Sequence, residues 1–190
     1  MPSAVWSGIR IRLRPGQAED IEFLARARLD DHDAMRMHGE GFVPPPPSRR
    51  ELIGEFAEPA EQPVCRGDER NFVVARIEDD LPVGTASVPR TRPQAGWFLL
   101  AITIFEAHRR KGFGSDAVRV LLRGYFDELR YHKANAAVFS TNTASLALFR
   151  HLGFVEEGCL RETRFTEGRH VDEHLFGITA PEFRARAASD

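Results

Sequence analysis

The chain has 190 residues, of which 42% are hydrophobic and 28% charged, and its formal net charge is -2. This size and composition suit one soluble domain over residues 1–190 that needs no disulfide or structural metal to fold. The near-neutral charge argues against nucleic-acid and anionic-membrane partners. No apolar stretch has the length of a signal peptide or a transmembrane helix, so a cytoplasmic protein is expected.

Hydrophobic periodicity predicts the element order β-α-α-β-β-β-α-β-α-β-β. Ile9, Ile11 and Leu13 alternate with arginines and mark the first strand. A helix is predicted over residues 21–29, and a capping-box pattern that begins at Ser48 predicts the next one. Further strands are predicted at residues 72–77, 83–88, 97–104, 134–139, 154–165 and 170–178.

The second half of the chain carries the stronger signals. The strand at 97–104 is the most apolar, which favours a central place in a sheet. An amphipathic helix is predicted over 118–129, and a helix that ends before Gly153 is predicted over 144–152. A turn at Glu167-Gly168 predicts a closing hairpin, and residues 184–190 are expected to form a flexible tail. Helices interspersed with a mixed sheet predict an α+β (α/β mixed) fold.

A glycine-bearing basic segment, Arg109-Arg110-Lys111-Gly112-Phe113-Gly114-Ser115, lies between the apolar strand and the amphipathic helix. The glycines let the backbone turn tightly, and a helix start directs N–H groups and a positive dipole end toward an anion. The segment lacks the full P-loop pattern and the third glycine of a dinucleotide-binding fingerprint. Taken alone, it fits either a pyrophosphate site or a basic turn that caps a helix.

The arrangement Arg109-x-x-Gly112-x-Gly114 matches the R/Q-x-x-G-x-G/A signature of the GNAT N-acetyltransferase superfamily, which the chain resembles over nearly its whole length. FEAHRRKGFGSDAVRVLL resembles the family's acetyl-CoA loop and helix, and STNTASLALFRHLGFVEEG resembles its next block. LRETRFTEGRHVDEHLFGI resembles the closing hairpin of the branch with ribosomal-protein alanine and polyamine N-acetyltransferases. The resemblance implies a GNAT-like, mostly antiparallel mixed sheet of about seven strands with about four helices.

The resemblance also implies a place for acetyl-CoA as co-substrate. Main-chain N–H groups of residues 110–115 would bind the diphosphate, and the preceding strand would pair with the pantetheine arm and polarise the thioester. Asn142 would bond the pantetheine or thiol end, and it also suits a helix N-cap. The implied coenzyme-binding residues are Ile102, Thr103, Ile104, Arg109, Arg110, Lys111, Gly112, Phe113, Gly114, Ser115, Asn142 and Ser145.

The acid that protonates the departing thiolate is not the usual one. Many members of the family have a tyrosine seven residues after the asparagine, and here that position is Phe149. Ser145 resembles a serine suggested as the acid in the ribosomal-protein branch, although a small residue there also allows close packing. A thiol has a pKa of about 8.5, so acid assistance is useful but not obligatory.

No carboxylate occurs in the strand at 97–104, where many family members place the base. His38 and Glu40 are the candidate bases, within a cluster that also contains Asp30, Asp31, His32 and Asp33. The same cluster fits a solvated helix end. Glu106 and Glu162 are weaker candidates. An enzyme without a strong base would favour an acceptor amine of low pKa, such as an α-amine.

The expected partner is an amine acceptor: a protein or peptide N-terminus, a polyamine, or a small-molecule or antibiotic amine. A homodimer is compatible with the sequence. His170 and His174 are four residues apart on a predicted strand, about 13 Å, which is too far for one metal ion. The absence of the tyrosine and of a clear base leaves a second function open, a non-catalytic acyl-CoA-binding module or sensor.

Overall fold

Seven strands form one sheet in a computed structural model that describes residues 4–24, 50–51 and 68–188. The strand order is β1-β2-β3-β4-β5-β7-β6, and every neighbouring pair is antiparallel except β4 and β5, which are parallel. The strands are β1 Ile11–Arg14, β2 Arg70–Arg76, β3 Pro82–Arg92, β4 Trp97–Ile104, β5 Lys133–Phe139, β6 Val155–Thr166 and β7 Arg169–Thr179.

Three α-helices with complete bounds accompany the sheet: α1 Phe113–Arg123, α2 Thr143–His151 and α3 Ala180–Ala187. Residues 20–24 and 50–51 are also helical. Short helical turns lie at Ala4–Trp6, Pro93–Ala95, Glu106–His108 and, as a π-helical turn that continues α1, Gly124–Glu128. No helix within the described ranges has the length and apolarity needed to cross a membrane.

The sheet has two faces with separate hydrophobic clusters. On the first face, α1 and α2 pack against buried residues such as Phe98, Ala136 and Phe176. On the second face, Leu24 from the helical residues 20–24 packs with Val73, Ala75 and Phe105. Side chains alternate between the two faces along each strand, and residues paired across neighbouring strands share a face. The pairing register therefore shows which face each residue occupies.

The α+β prediction with about seven strands is confirmed, and β4 lies in the middle of the strand order as expected. The predicted hairpin turn has left-handed backbone at Glu167 (φ 52) and Gly168 (φ 76), which suits the right-handed twist of a hairpin. Two details differ. Ile9 is 90% exposed and precedes β1, because residue 11 is the first to pair with β2. The predicted helix after Ser48 is described only at residues 50–51.

The C-terminal segment corrects a second expectation. Residues 184–187, predicted as part of a flexible tail, belong to α3. Thr179 and Glu182 form a reciprocal capping box at its start. Arg184 pairs with Asp127 at 2.8 Å, so the helix is tied to the turn after α1.

The feature that creates the site is a gap between β4 and β5. Their parallel pairing joins residues 97–99 to 133–135 and stops there. Residues 100–104 of β4 remain paired with β3, and β5 remains paired with β7 up to Phe139. The C-terminal halves of β4 and β5 therefore separate, and the sheet is open between them.

Candidate active site

A groove of about 630 Å³ begins at this gap and extends along the start of α1. Its volume lies within the range of small-molecule sites. It is lined by every predicted coenzyme-binding residue except Lys111, by the weaker base candidate Glu106, and by five residues that the sequence did not indicate. The lining residues are Ile102, Thr103, Ile104, Glu106, His108, Arg109, Arg110, Gly112, Phe113, Gly114, Ser115, Thr141, Asn142, Thr143, Ala144, Ser145 and Leu148.

One wall of the groove is the glycine loop, residues 109–115. Arg110 (φ 61) and Gly112 (φ 82) both have left-handed backbone, and Gly112 is the N-cap of α1. The first helical bond runs from the Asp116 N–H to the Gly112 carbonyl at 3.1 Å. The N–H groups of the first three helical residues therefore precede the helical ladder and, with the positive dipole end, suit an anion.

Two basic side chains of the loop serve to fix its shape. The Arg109 Nε donates to the Ile104 carbonyl at 3.0 Å, which joins the loop to the end of β4. The Lys111 Nζ donates to the Ala107 carbonyl at 2.9 Å, and Lys111 is absent from the groove lining. The basic side chains of this segment that line the groove are thus those of Arg109 and Arg110, while Lys111 adds charge from outside.

Asp116 is an acidic residue in the first turn of α1, where it could repel an anion. Its carboxylate instead accepts hydrogen bonds from the N–H groups of Ile9 (3.2 Å), Arg10 (2.6 Å) and Ile11 (3.1 Å). These bonds compensate the negative charge. They also anchor the start of β1 to α1 beside the loop.

Gly114 forms part of the groove floor. A Cβ built there would lie 3.5 Å from the Ile104 Cγ1 and 3.6 Å from the Leu148 Cδ2. The side chain of any larger residue would therefore extend into the space between β4 and α2. The glycine keeps that space open for a ligand.

The edge of β4 offers main-chain groups to the gap. The Phe105 N–H bonds the Val83 carbonyl of β3 at 3.0 Å. Because successive N–H groups of a strand point to opposite edges, those of Ile104 and Ile102 point toward the gap. This edge can pair with an extended arm of a ligand and donate to a carbonyl oxygen at its end.

Asn142 and Ser145 lie at the start of α2, where the groove meets the gap. The Asn142 Oδ1 accepts the Ser145 N–H at 3.0 Å, so the predicted N-cap role of Asn142 is confirmed. Both residues line the groove as well. Phe149, at the expected tyrosine position, is buried among aromatic rings of Phe154 and Phe176, at centroid distances of 4.9 and 6.0 Å.

His108 lies in the groove beside the Phe113 ring. Its Nδ1 is buried and has no hydrogen-bond partner among the described residues. Desolvation lowers the pKa of His108 below its usual value, and the nearby charges of Lys111 and Arg76 lower it further. The imidazole is thus held neutral at neutral pH.

A second cavity of about 180 Å³ adjoins the groove at the open part of the sheet. It shares Ile102, Asn142 and Ser145 with the groove. Its remaining lining comes from both separated strands, from α2 and from the hairpin: Leu100, Ala101, Ala137, Val138, Phe139, Phe149, Arg164 and Glu173. The two adjoining cavities, whose linings include side chains from both faces of the sheet, are together called the passage.

The candidate bases predicted from the sequence are either outside the described residues or exposed. His38 and Glu40, and the cluster around them, lie outside the described residues. Glu106 lines the groove but is exposed, and Glu162 is an exposed residue of β6. The sequence did not indicate Glu173, a buried carboxylate that lines the second cavity.

The two histidines of β7 are engaged with other side chains. The His174 Nδ1 lies 2.7 Å from the Glu156 Oε1, and the His170 ring contacts Phe165 at a centroid distance of 5.1 Å. Within the described ranges, no three His, Cys, Asp or Glu side chains are grouped to hold a metal ion.

Comparison with known proteins gives a consistent result. A family described as the acetyltransferase (GNAT) domain matches residues 10–155. An uncharacterised N-acetyltransferase of Bacillus subtilis strain 168, YokL, is 34% identical over 183 residues, 96% of this chain and 97% of its own. A spermidine N(1)-acetyltransferase of Vibrio cholerae is 28% identical over 137 residues, 72% of this chain and 79% of its own.

Solved structures share the fold. A spermidine N-acetyltransferase from Vibrio cholerae, crystallised with CoA and spermine, superposes with a TM-score of 0.78 at 24% identity, covering 92% of this chain and 98% of that one. A GNAT-family acetyltransferase from Bacillus anthracis gives a TM-score of 0.76 at 20% identity, covering 93% and 98%.

Proposed function

The chain belongs to the GNAT acetyltransferase family, and on this premise we propose that it transfers the acetyl group of acetyl-CoA to a primary amine by direct attack in a ternary complex. The observation that carries the proposal is the continuous groove from the glycine loop to the gap between β4 and β5. Its main-chain donors and its shape fit a ligand with a phosphate end and a narrow extended arm.

Different residues along the groove would bind different parts of acetyl-CoA. The N–H groups of residues 113–115 and the Arg110 side chain would hold the diphosphate. The free edge of β4 would pair with the pantetheine arm, and a main-chain N–H there would polarise the thioester carbonyl. Such a donor gains strength as negative charge develops on the oxygen during attack. Holding both substrates in one passage supplies much of the rate.

A proton source near the start of α2 would assist departure of the thiolate. We assign this role to Ser145, which lines both the groove and the second cavity. Phe149 carries no exchangeable proton and is buried in an aromatic cluster. Because coenzyme A is a fairly good leaving group, a hydroxyl at this position is sufficient assistance.

The acceptor is proposed to be a primary amine, and polyamines are the first class to test. The spermidine N(1)-acetyltransferase of Vibrio cholerae is related over 72% of this chain. Peptide N-termini and amine-bearing antibiotics are the other classes that the resemblance to the family includes. All three present an amine that must reach the gap opposite the glycine loop.

The test is thiol release from acetyl-CoA with a panel of spermidine, spermine, short peptides and aminoglycosides, followed by mass spectrometry of the products. We expect thiol release with at least one amine and one acetyl group added to it. Tight binding of acetyl-CoA without release above background for any amine would instead support the acyl-CoA sensor. Stronger binding of ATP or NAD than of acetyl-CoA in a competition thermal-shift assay would refute both functions.

A further inference from the structure

Glu173 occupies an unusual position for a carboxylate, inside the sheet and at the end of the passage. It pairs in register with Phe139 of β5. Ala134, Ala136 and Val138 of β5 belong to the first-face core, so Phe139 and Glu173 belong to the second face. Glu173 therefore lines the passage from the side opposite α1 and α2.

Within the described residues, the Glu173 carboxylate has fewer and longer hydrogen bonds than that of Asp20, the other buried acidic residue. Asp20 and Glu173 are the acidic residues that are buried within the described part of the chain. Asp20 binds Arg14 through two bonds, at 2.6 and 2.9 Å, and accepts the Gln17 N–H at 2.7 Å. Among the described residues the Glu173 carboxylate accepts one hydrogen bond, from the Arg164 Nη2 at 3.4 Å.

A distance of 3.4 Å is long for a charge-assisted bond, which is usually about 2.7 to 2.9 Å. Burial of a carboxylate costs free energy unless hydrogen bonds compensate it. The described residues give Asp20 that compensation, whereas they give Glu173 one long ion-pair contact with Arg164. A cationic ligand in the passage would add a second partner for this carboxylate.

From this geometry we infer that Glu173 is the catalytic base of the acetyl transfer, and that the acceptor amine enters the passage from the second face. The inference rests on the proposed function. An ammonium ion at this end would meet the carboxylate, while the thioester would reach the gap from the groove. The two reactants would then meet near Ser145, which both cavities share.

The acceptor ammonium gives one proton to the Glu173 carboxylate and becomes a neutral amine with a lone pair. That lone pair forms the new C–N bond, and the carbonyl π electrons move to the oxygen. When they return, the C–S bond breaks and the departing sulfur takes the hydroxyl proton of Ser145. The second proton of the nitrogen passes to the Ser145 oxygen and restores its hydroxyl. Glu173 returns its proton to water.

A base is needed because an alkyl amine with a pKa of about 10.4 is only about 0.1% unprotonated near neutral pH. Replacement of Glu173 by Gln keeps the shape and removes both charge and basicity. With the best amine of the panel, kcat/KM near pH 7 should fall about 100-fold or more. The loss should shrink as the pH approaches the pKa of the amine, because free amine then replaces the missing base.

The matched control is Glu156→Gln. Glu156 lies on the same hairpin and pairs with Arg150 and His174, each at a distance below 3 Å. It does not line the passage within the described residues. This variant should keep the activity and pH profile of the unmodified protein. Acetyl-CoA affinity, measured by calorimetry, should stay the same in both variants and show that each is folded.

Three results would overturn the inference. One is a Glu173→Gln variant within about 3-fold of the unmodified protein near pH 7, far from the loss expected of a base. Another is a loss of equal size at every pH, which indicates a structural role. If that variant does not fold, Glu173→Asp decides, since a retracted carboxylate should lower kcat about 10-fold and an unchanged kcat contradicts a base. Absence of activity in the unmodified protein with every amine would refute the proposed function itself.

Discussion

The two ends of the passage are built in different ways. The groove end uses main-chain N–H groups of a helix start and a strand edge, held in place by Arg109 on the Ile104 carbonyl. The opposite end uses one buried carboxylate with a long bond to Arg164. Main-chain donors do not depend on side-chain identity, so they suit a constant co-substrate. A single side chain can be substituted, so it can be adapted to a different acceptor. Substitutions at the groove end should therefore change acetyl-CoA affinity, and those at the other end should change turnover.

The largest effect is expected from Gly114→Trp. Its Cβ would start at van der Waals distance from Ile104 and Leu148, so the indole would fill the groove. Acetyl-CoA affinity should fall at least about 100-fold, which corresponds to roughly 2.7 kcal/mol. Calorimetry or a thermal-shift titration measures this directly.

Gly168→Trp is the control for that substitution. Gly168 lies at the β6–β7 turn, and no atom lies within 4 Å of a Cβ built there. Its positive φ of 76° adds strain of roughly 1 kcal/mol for a larger residue. It should lower the melting temperature without changing acetyl-CoA affinity. Normal affinity in Gly114→Trp would contradict the position of the groove.

Ser145→Ala tests the point where the two ends meet. If Ser145 protonates the leaving thiolate, kcat should fall about 10-fold, less than for a difficult leaving group. Acetyl-CoA affinity should change little, because the Ser145 N–H that bonds Asn142 belongs to the main chain. Measurement of kcat and KM separately distinguishes these effects. An unchanged kcat would remove Ser145 from the mechanism.

The groove end could be predicted from the sequence because its parts are contiguous. The glycine loop and the helix after it form one segment, and the apolar strand before it has its exact predicted bounds, Trp97–Ile104. The donors are main-chain atoms, so the backbone path is the information that matters. Lys111 shows the limit, since its side chain turned to the Ala107 carbonyl.

The opposite end could not be predicted in this way. Glu173 has no neighbouring motif, and its role depends on the length of the β4–β5 pairing and on the register with Phe139. Both are properties of residues far apart in the chain. Helix α3 is a different case, because Thr179 and Glu182 follow the same capping-box pattern that predicted a helix after Ser48.

A smaller effect is expected from Asn142→Ala, which removes both the cap of α2 and a groove acceptor. Loss of the cap should lower the free energy of unfolding by about 1 kcal/mol. If Asn142 also bonds the coenzyme, loss of that neutral hydrogen bond should raise the KM for acetyl-CoA roughly 3- to 10-fold. Chemical denaturation and steady-state kinetics measure the two effects.

Thr179→Ala is the matched cap variant. It breaks the capping box of α3 and should cost about the same stability, roughly 1 kcal/mol. Thr179 is absent from both cavities within the described residues, so the KM for acetyl-CoA should not change. Equal KM values in the two variants would assign Asn142 a structural role alone.

The smallest effect is a pH dependence of stability from His108 at the groove end. Burial, followed by the charges of Lys111 and Arg76, lowers the pKa of His108 in the folded chain, and Asp79 opposes this in part. The unfolded chain therefore binds the proton more tightly. The free energy of unfolding should be unaffected by His108 above about pH 6.5 and should decrease as the pH falls below that value.

His108→Gln isolates this contribution from that of the other histidines. Urea unfolding of the variant and the unmodified protein, compared from about pH 7.5 to pH 5, should give a difference that grows as the pH falls, with the variant losing less stability. The Asp79 carboxylate does not interfere, because its pKa is held at about 2 by Arg76. A difference that is constant with pH would mean that His108 is not held neutral, and that the groove end is less desolvated than its geometry indicates.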